Sequence, residues 1–235
     1  PELLEQGKGD IWDSGKIESD ASQWITYQGK TLKCNAPYYW KVKIDTNKGA
    51  TNWSALAFWT TGLFNEADWQ GQWIGLDRAA PGDSETQWSR LAARYLRKEF
   101  AVKKDVKRAT VHIAGMGLYE LFINGQRIGN QVLAPAPTDY RKTILYNTYD
   151  VTSLLQTENA IGVTLGNGRF YTMRQNYKPY KIPTFGYPKL RLNLIVEYAD
   201  GSKETIATNT SWKLTTEGAI RSNNAVSYTH LRAHE

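Results

Sequence analysis

The sequence predicts an all-β protein, and three observations support this. Short runs that alternate polar and apolar residues recur along the chain, separated by Gly, Asn, Asp and Pro. Runs spaced by about 8–12 residues are typical of β-sandwiches, and helical periodicity is nearly absent. Two of the separators, Asn124-Gly125 and Asp200-Gly201, are the dipeptides that favour tight hairpin turns, because they tolerate a positive φ.

The individual elements follow from this alternation. The predicted strands, in chain order, are Lys41–Ile44, Arg94–Val102, Ala109–Ile113, Leu118–Ile123, Gln126–Ile128, Lys189–Tyr198 and Lys203–Ala207. Asn124-Gly125 joins Leu118–Ile123 to Gln126–Ile128 as a hairpin, and Asp200-Gly201 joins the last two strands. A short helical turn is expected at Val151–Leu155 with Asp150 as its cap. Lys103–Arg108 is expected to be a solvated turn between strands.

Composition narrows the function classes. Lys and Arg outnumber Asp and Glu by 29 to 23, but the two signs are interspersed, so no nucleic-acid partner is expected. No apolar run approaches the ~20 residues of a membrane helix. The single Cys34 excludes an internal disulfide within this chain and a cysteine zinc cluster. With 9 Trp and 14 Tyr, the chain is rich in rings that combine an apolar face with a polar group, as in carbohydrate-binding surfaces.

The chain divides into four predicted segments. Residues 1–71 form a small, incomplete β domain, because a seven-stranded sandwich needs about 100 residues. Residues 72–92 are a linker, residues 93–225 are a larger β domain, and residues 226–235 are a tail. Back-translated, the tail resembles a sequencing-library adapter, so we expect the natural sequence to continue differently after Ala225. Residues 1–10 lack the features of a signal peptide, and the compartment stays open.

Ordered motifs carry a family resemblance. In the first domain they are Ile11–Ile17, Pro37–Asp45, Thr51–Ser54 and Phe58–Leu63, which together resemble a fibronectin-III/Ig-like module without its first strands. The later series is Asp68–Gly75, Arg97–Phe100, Gly117–Glu120, Ile123–Gly129, Leu133–Pro135, Thr138–Tyr140, Tyr149–Thr152, Asn159–Val163 and Leu165–Tyr171. In this order it is similar to the N-terminal region of bacterial α-L-rhamnosidases of glycoside hydrolase family 78. The resemblance implies a partial fibronectin-III/Ig-like sandwich followed by a jelly-roll, galactose-binding-like β-sandwich.

The resemblance also implies a function for the whole protein, which is inverting hydrolysis of terminal α-L-rhamnose. Inversion needs a general acid and a general base about 6.5–9.5 Å apart, and in the family these lie in a downstream (α/α)6 barrel. The aspartates considered as alternatives fall in linker or turn contexts: Asp68, Asp77, Asp83, Asp139 and Asp150. His112 alternates within a strand and is expected to be structural. We therefore expect no catalytic residue in this chain and no activity of its own. Its expected partners are rhamnose-containing glycans or glycosides and its own catalytic domain.

Six loop residues are candidates for sugar contact because Asn and Arg can bond vicinal hydroxyls and Tyr can stack on a sugar. They are Asn124, Asn130, Tyr140, Asn167, Arg169 and Tyr171. The alternative for each is a role as a turn former or strand-end aromatic residue. Many members of the family carry Trp after the Gly166-Asn-Gly168 turn, where this chain has Arg169-Phe170, so that Trp contact does not transfer. Some members bind rhamnose with calcium; the residues here assign no calcium site, and no cofactor is expected.

Two other classes remain open. A stand-alone carbohydrate-binding module would have a genuine stop codon after the last strand. An adhesive β-sandwich array would repeat one module, whereas the two predicted domains do not resemble each other. Downstream sequence rich in helices and carboxylates would favour the enzyme.

Overall fold

A computed structural model describes residues 2–21, 23–78, 91–171, 185–222 and 230–231. The chain separates into two compact units, Pro1–Asp68 and Trp69–Glu235. Within the described residues, the helical elements are the four-residue α1 (Glu2–Glu5) and the 3-10 turns Glu66–Asp68 and Thr152–Leu154. Everything else that is regular is β-strand, which confirms the predicted all-β class. No helix in the described part of the chain is long and apolar enough to cross a membrane.

The first unit contains four short strands. They are β1 (Pro37–Trp40), β2 (Asp45–Thr46), β3 (Gly49–Ala50) and β4 (Ala57–Thr60). β1 pairs with β4 and β2 with β3, both antiparallel, so residues 37–60 fold back on themselves as one long hairpin.

The predicted strand Lys41–Ile44 is wrong, because these residues lie between β1 and β2. The N–H groups of Val42 and Ile44 donate to the side-chain hydroxyls of Ser54 and Thr51, at 3.1 and 3.0 Å. Hydroxyl side chains therefore replace the carbonyls that a regular ladder would use, and alternation alone does not reveal this.

The base of the hairpin is the best-buried part of the first unit. Among its described residues, Asn35, Thr61 and Leu63 are the buried ones. The hydroxyl of Thr61 donates to the carbonyl of Lys33 at 2.7 Å and accepts from the N–H of Ala36 at 2.9 Å. These bonds close the hairpin where its two strands meet.

The second unit is a sandwich of two five-stranded sheets. Its strands are β5 (Ile74–Gly75), β6 (Arg94–Ala101), β7 (Val106–Met116), β8 (Leu118–Ile123), β9 (Gln126–Ile128), β10 (Tyr146–Asp150), β11 (Glu158–Gly166), β12 (Lys189–Tyr198), β13 (Lys203–Ala207) and β14 (Lys213–Thr215). One sheet has the order β10-β7-β12-β13, with β5 on β12, and the other has the order β14-β6-β11-β8-β9. A separate pair, β15 (Ile220–Ser222) and β16 (His230–Leu231), follows. The chain crosses repeatedly between the sheets, as predicted for a jelly-roll sandwich.

The core lies between these two sheets and follows from period-two alternation. In β12, Leu190, Leu192, Leu194 and Val196 are fully buried, while Arg191 and Asn193 point to the other face. The facing sheet contributes side chains such as Ile161 and Leu165 in β11. Burying each such side chain stabilises the fold by about 1.5–3 kcal/mol, so the register of β12 is fixed by its apolar face.

Both predicted hairpins are confirmed. Asn124 and Gly125 adopt φ values of 50° and 81° between β8 and β9, and Gly201 has φ 85° between β12 and β13. The expected helical turn is the 3-10 turn Thr152–Leu154. The predicted turn Lys103–Arg108 is shorter than expected, because β7 already begins at Val106.

Two predicted segments lie partly outside the described residues. The predicted linker 72–92 includes β5, which pairs with β12 in the sandwich, and its residues 79–90 lie outside the described part. Of the predicted tail 226–235, the described residues are His230 and Leu231.

Candidate functional site

Four connecting segments meet at one end of the sandwich, which we call the loop end. They comprise residues 116–118, 133–140, 166–171 and 185–188. Gly117 has φ 134°, and a Cβ at this position would collide with the carbonyl oxygen of Gly166. The N–H of Tyr119 donates to the carbonyl of Ala134 at 2.8 Å, next to the cis peptide bond Ala134-Pro135. Close backbone approaches therefore hold the loop end in place.

An aromatic cluster forms the floor of the loop end. Phe170 is buried and stacks on Phe185, with ring centroids 5.9 Å apart. The N–H of Phe185 donates to the carbonyl of Phe170 at 2.9 Å. Tyr140 meets both rings edge to face, at 5.3 and 5.4 Å. Its ring is therefore half-buried and held by packing.

A second aromatic pair stands beside this floor. Tyr171 and Tyr187 stack with centroids 5.6 Å apart and both are half-buried. Arg169 is exposed. Burial raises the pKa of Tyr140, and the positive charge of Arg169 opposes that rise. The loop end thus combines flat apolar rings with a rigid fork of N–H donors, the groups that recognise a sugar face and its hydroxyls.

Four of the six candidate sugar-contact residues meet at the loop end: Tyr140, Asn167, Arg169 and Tyr171. Asn167 itself is buried, and its carbonyl accepts from the N–H of Tyr171 at 3.3 Å. It shapes the turn that presents Arg169 and Tyr171.

Asn124 lies at the other end of the sheet that contains β8 and β11, away from the loop end. Its Nδ2 donates to the carbonyl of Leu154 and to Oδ1 of Asn159, both at 2.9 Å, and its Oδ1 accepts from the N–H of Ala160. Residues 160 and 167 lie near the two ends of β11, so at about 3.3 Å per residue these ends are roughly 20 Å apart. The structure therefore places Asn124 away from the loop end. Asn130 is exposed in a bend after β9.

Phe185 and Tyr187 were not among the candidate residues predicted from the sequence. They belong to a run, Phe185-Gly-Tyr187, that directly precedes β12. Aromatic residues on both sides of a glycine at a strand boundary are the signal that could have identified them. Gly186 has φ 140° and lies against the ring of Phe170, so a side chain there would be strained.

Two of the aspartates considered for catalysis serve turns. Oδ2 of Asp68 accepts from the N–H groups of Phe64 and Asn65, at 2.9 and 2.8 Å, and these bonds lower its pKa. Oδ1 of Asp150 accepts from the N–H and the hydroxyl of Thr152, at 2.9 and 2.6 Å. Both carboxylates accept hydrogen bonds within their own turns, which agrees with the turn roles expected from the sequence. The predicted cap Asp150 is wrong, because Val151 occupies the N-cap position of the 3-10 turn Thr152–Leu154, with no side-chain cap bond.

Two further aspartates pair with cations. Asp77 lies 2.9 Å from Nζ of Lys189. Asp139 lies 3.0 Å from Nε of Arg141, and this hydrogen bond lowers the pKa of the carboxyl group. Asp83 lies outside the described residues. These interactions give each of the four described aspartates considered for catalysis a partner in a turn or an ion pair.

His112 is buried on the outer face of β7, where Nδ1 lies 3.0 Å from the hydroxyl of Thr148. The rings of Trp69 and Tyr146 lie edge-on to it. Burial lowers its pKa to about 4, so the imidazole is neutral near pH 7. These contacts and this burial support the structural role expected from the sequence.

A metal site and a surface pocket are two other kinds of candidate site, and in the described residues both are weaker candidates than the loop end. They contain no group of three His, Cys, Asp or Glu side chains that could hold a metal ion. A shallow depression of about 130 Å³ lies at the β14–β6 edge, lined by Arg97, Lys98, Glu99, Ser211 and Lys213. It is smaller than the ~300 Å³ at which small-molecule pockets begin.

Comparison with known proteins identifies relatives of both units. Residues 104–229 match the family described as the α-L-rhamnosidase N-terminal domain. Residues 2–65 match the family described as the Rha78A-like, N-terminal immunoglobulin domain. An α-L-rhamnosidase of Formosa agariphila is 35% identical over 241 residues, which cover 94% of this chain and 25% of the relative.

Solved structures agree with these matches. The α-L-rhamnosidase from Dictyoglumus thermophilum aligns over 95% of this chain and 25% of its own, with 40% identity and a TM-score of 0.81. The Streptomyces avermitilis α-L-rhamnosidase, solved in complex with L-rhamnose, aligns over 95% of this chain and 37% of its own. Its identity is 22% and its TM-score 0.81, so this likeness concerns the fold. The chain spans about a quarter of the length of the curated relatives that it matches most fully.

Proposed function

Because this chain belongs to the α-L-rhamnosidase N-terminal domain family, we propose that it is the accessory, substrate-recognition part of an α-L-rhamnosidase. The whole protein would hydrolyse terminal α-L-rhamnose from glycans or glycosides with inversion. Its general acid and base would lie in the part of the relatives that this chain does not match. The four described aspartates considered for catalysis are engaged in turns and ion pairs, which supports that division of labour.

The observation that carries the recognition role is the convergence of Tyr140, Arg169 and Tyr171 at the loop end. An aromatic ring held by its neighbours loses little conformational entropy when a sugar stacks on it. The guanidinium of Arg169 supplies paired donors for two adjacent hydroxyls. L-rhamnose fits this chemistry, since its methyl group and axial C–H groups give it an apolar face beside vicinal hydroxyls.

Titration of the chain with L-rhamnose, followed by NMR chemical shifts, tests this role. We expect saturable shifts of residues 140, 169 and 171. Arg169→Ala should weaken binding by about tenfold, because a hydrogen bond to a charged group is worth about 1.5–3 kcal/mol. Arg97→Ala is the matched control, since Arg97 is exposed on a different part of the sandwich and pairs with Glu99.

Parallel titrations in EDTA and in calcium should give equal affinities, because the proposed contacts are rings and a guanidinium. An absence of saturation, or an equal affinity for the Arg169→Ala variant, would refute the binding role. Saturation only in calcium would move the site away from the loop end.

The alternative, a stand-alone carbohydrate-binding module, makes the same binding prediction. Sequencing the source DNA across the codon for Ala225 separates the two. A reading frame that continues into a long helical region supports the enzyme, and a genuine stop codon after residue 235 supports the module.

A further inference from the structure

Among the described residues, the hairpin formed by residues 37–60 consists of one outgoing and one returning chain segment, and no third strand pairs with either. β1 and β4 pair from Pro37↔Thr60 to Trp40↔Ala57. Toward the tip, Ser54 and Thr51 donate their N–H groups to the carbonyls of Val42 and Ile44, both at 2.8 Å. A two-stranded hairpin is marginally stable in water, and it normally needs further strands or a packed face.

Large apolar side chains stand exposed on this hairpin. They are Tyr39, Trp40, Val42, Ile44, Trp53, Leu56, Phe58 and Trp59, with exposed fractions from 41% to 68%. The five aromatic residues among them leave on the order of 500 Å² of surface open, and the aliphatic ones add to it. This area is divided between the two faces of the hairpin, because successive residues of a strand point to opposite sides.

The two edges of the hairpin differ in charge. The strand that contains β1 carries Pro37, Lys41 and Lys43, the residue types that block pairing at an open edge. The returning strand, residues 49–65, contains no charged residue, no histidine and no proline. In the described residues, β4 has β1 as its partner, and its other edge has no paired strand. The edge that lacks protective residues is therefore the open edge of β4.

This difference in charge between the two edges of the hairpin indicates what kind of partner β4 would pair with. We propose that β4 is an association edge that pairs antiparallel with β4 of a second copy of this chain. A two-fold pair brings no like charges together, because the segment has none, and it turns two hairpins into one four-stranded sheet.

Aromatic contacts would extend across the new sheet. Tyr39 and Phe58 lie on one face with ring centroids 6.0 Å apart, and Tyr38 and Trp59 lie on the other at 5.3 Å. Pairing of β4 near Phe58 joins each pair of rings to its symmetry mate. Cross-strand aromatic pairs of this kind stabilise sheets.

Sedimentation equilibrium of the 235-residue chain over a wide concentration range tests the proposal. We expect a monomer–dimer equilibrium. Phe58→Lys should raise the dimer dissociation constant at least tenfold, because it places two like charges beside each other at the two-fold axis. Phe58 is 68% exposed, so the change removes little packing. Val132→Lys is the matched control: Val132 is 78% exposed in the second unit, and its replacement adds the same charge.

Hydrogen exchange provides a second measurement that does not depend on how the variant folds. The amides of residues 55–60 in the unsubstituted chain should become more protected as concentration rises. A monomer at every concentration, open-ended aggregation, or a dimer equally stable with Phe58→Lys would each overturn the proposal.

Discussion

The backbone N–H of Gly71 donates a 2.8 Å hydrogen bond to Oδ1 of Asn193, a residue 122 positions later in the chain. The carbonyl of Gly71 accepts from Nε of Arg191 at 2.6 Å. The guanidinium of Arg191 also lies 5.1 Å from the ring of Trp69. The segment that leads into the sandwich is therefore fastened to the outer face of β12 by both backbone groups of one glycine.

Gly71→Ala tests this attachment. A Cβ here would lie 2.5 Å from the carbonyl oxygen of Leu192 and 2.7 Å from the hydroxyl of Thr208. We expect the free energy of unfolding, measured in urea, to fall by about 1–3 kcal/mol, the usual cost of overpacking. Gly162→Ala is the control, because its Cβ would meet Phe122 at an ordinary 3.8 Å. Equal stabilities of the two variants would contradict the tight fit.

Asn124→Ala tests the structural role of the hairpin turn. The substitution removes three side-chain hydrogen bonds and leaves a residue with a Cβ at φ 50°. We expect the free energy of unfolding to fall by about 1–3 kcal/mol. Asn124→Gly should recover part of the loss, since glycine adopts this φ without strain. Asn130→Ala, at an exposed bend, should stay within about 0.5 kcal/mol of the unsubstituted chain. If Asn124→Ala matches Asn130→Ala, the turn does not depend on this amide.

His112 predicts a pH dependence of stability. Its pKa is lowered from 6.5 to about 4 in the folded state by burial, so the unfolded state binds a proton more readily. The stabilising contribution is fully present above pH 6.5 and is lost as pH falls from there toward 4. A shift of this size corresponds to about 3 kcal/mol. The free energy of unfolding, measured in urea at several pH values between 7 and 5, should fall more steeply with falling pH for the unsubstituted chain than for His112→Gln. An equal pH dependence of the free energy of unfolding in the two proteins would mean that the histidine is not buried in its neutral form.

The chain alone should not hydrolyse an α-L-rhamnoside. We expect 4-nitrophenyl α-L-rhamnoside to remain intact in its presence, because Asp77 and Asp139 are paired with Lys189 and Arg141 rather than poised around a water. A complete α-L-rhamnosidase serves as the positive control. Turnover that disappears with Asp77→Asn or Asp139→Asn would place catalysis in this chain.

The sequence was sufficient to predict features that depend on residues close together in the chain. The alternation of Lys189–Tyr198 predicts β12 with its observed bounds, because burying every second residue fixes both the strand and its register. Asn124-Gly125 predicts the hairpin between β8 and β9, because those residue types tolerate positive φ. The order of the motifs along the chain indicates the family, and the match of residues 104–229 confirms it.

The sequence could not show which of the candidate site residues lie close together in the folded protein. Asn124 and Asn167 are similar as loop asparagines in the sequence, yet they lie at opposite ends of β11. Phe185 reaches Phe170 only because β11 and β12 lie in facing sheets and their loops emerge at the same end. Such contacts depend on how the sheets stack, and no local pattern records that arrangement.

The sequence by itself determined the all-β class and the hairpins, since these follow from backbone preference and side-chain alternation, and the order of its motifs indicated the family. Tertiary structure decided which rings meet at the loop end, that the N–H of Gly71 bonds to Asn193, and that the uncharged edge of β4 is open. Those outcomes depend on contacts between residues far apart in the chain, whose energies exist only once the sheets have packed.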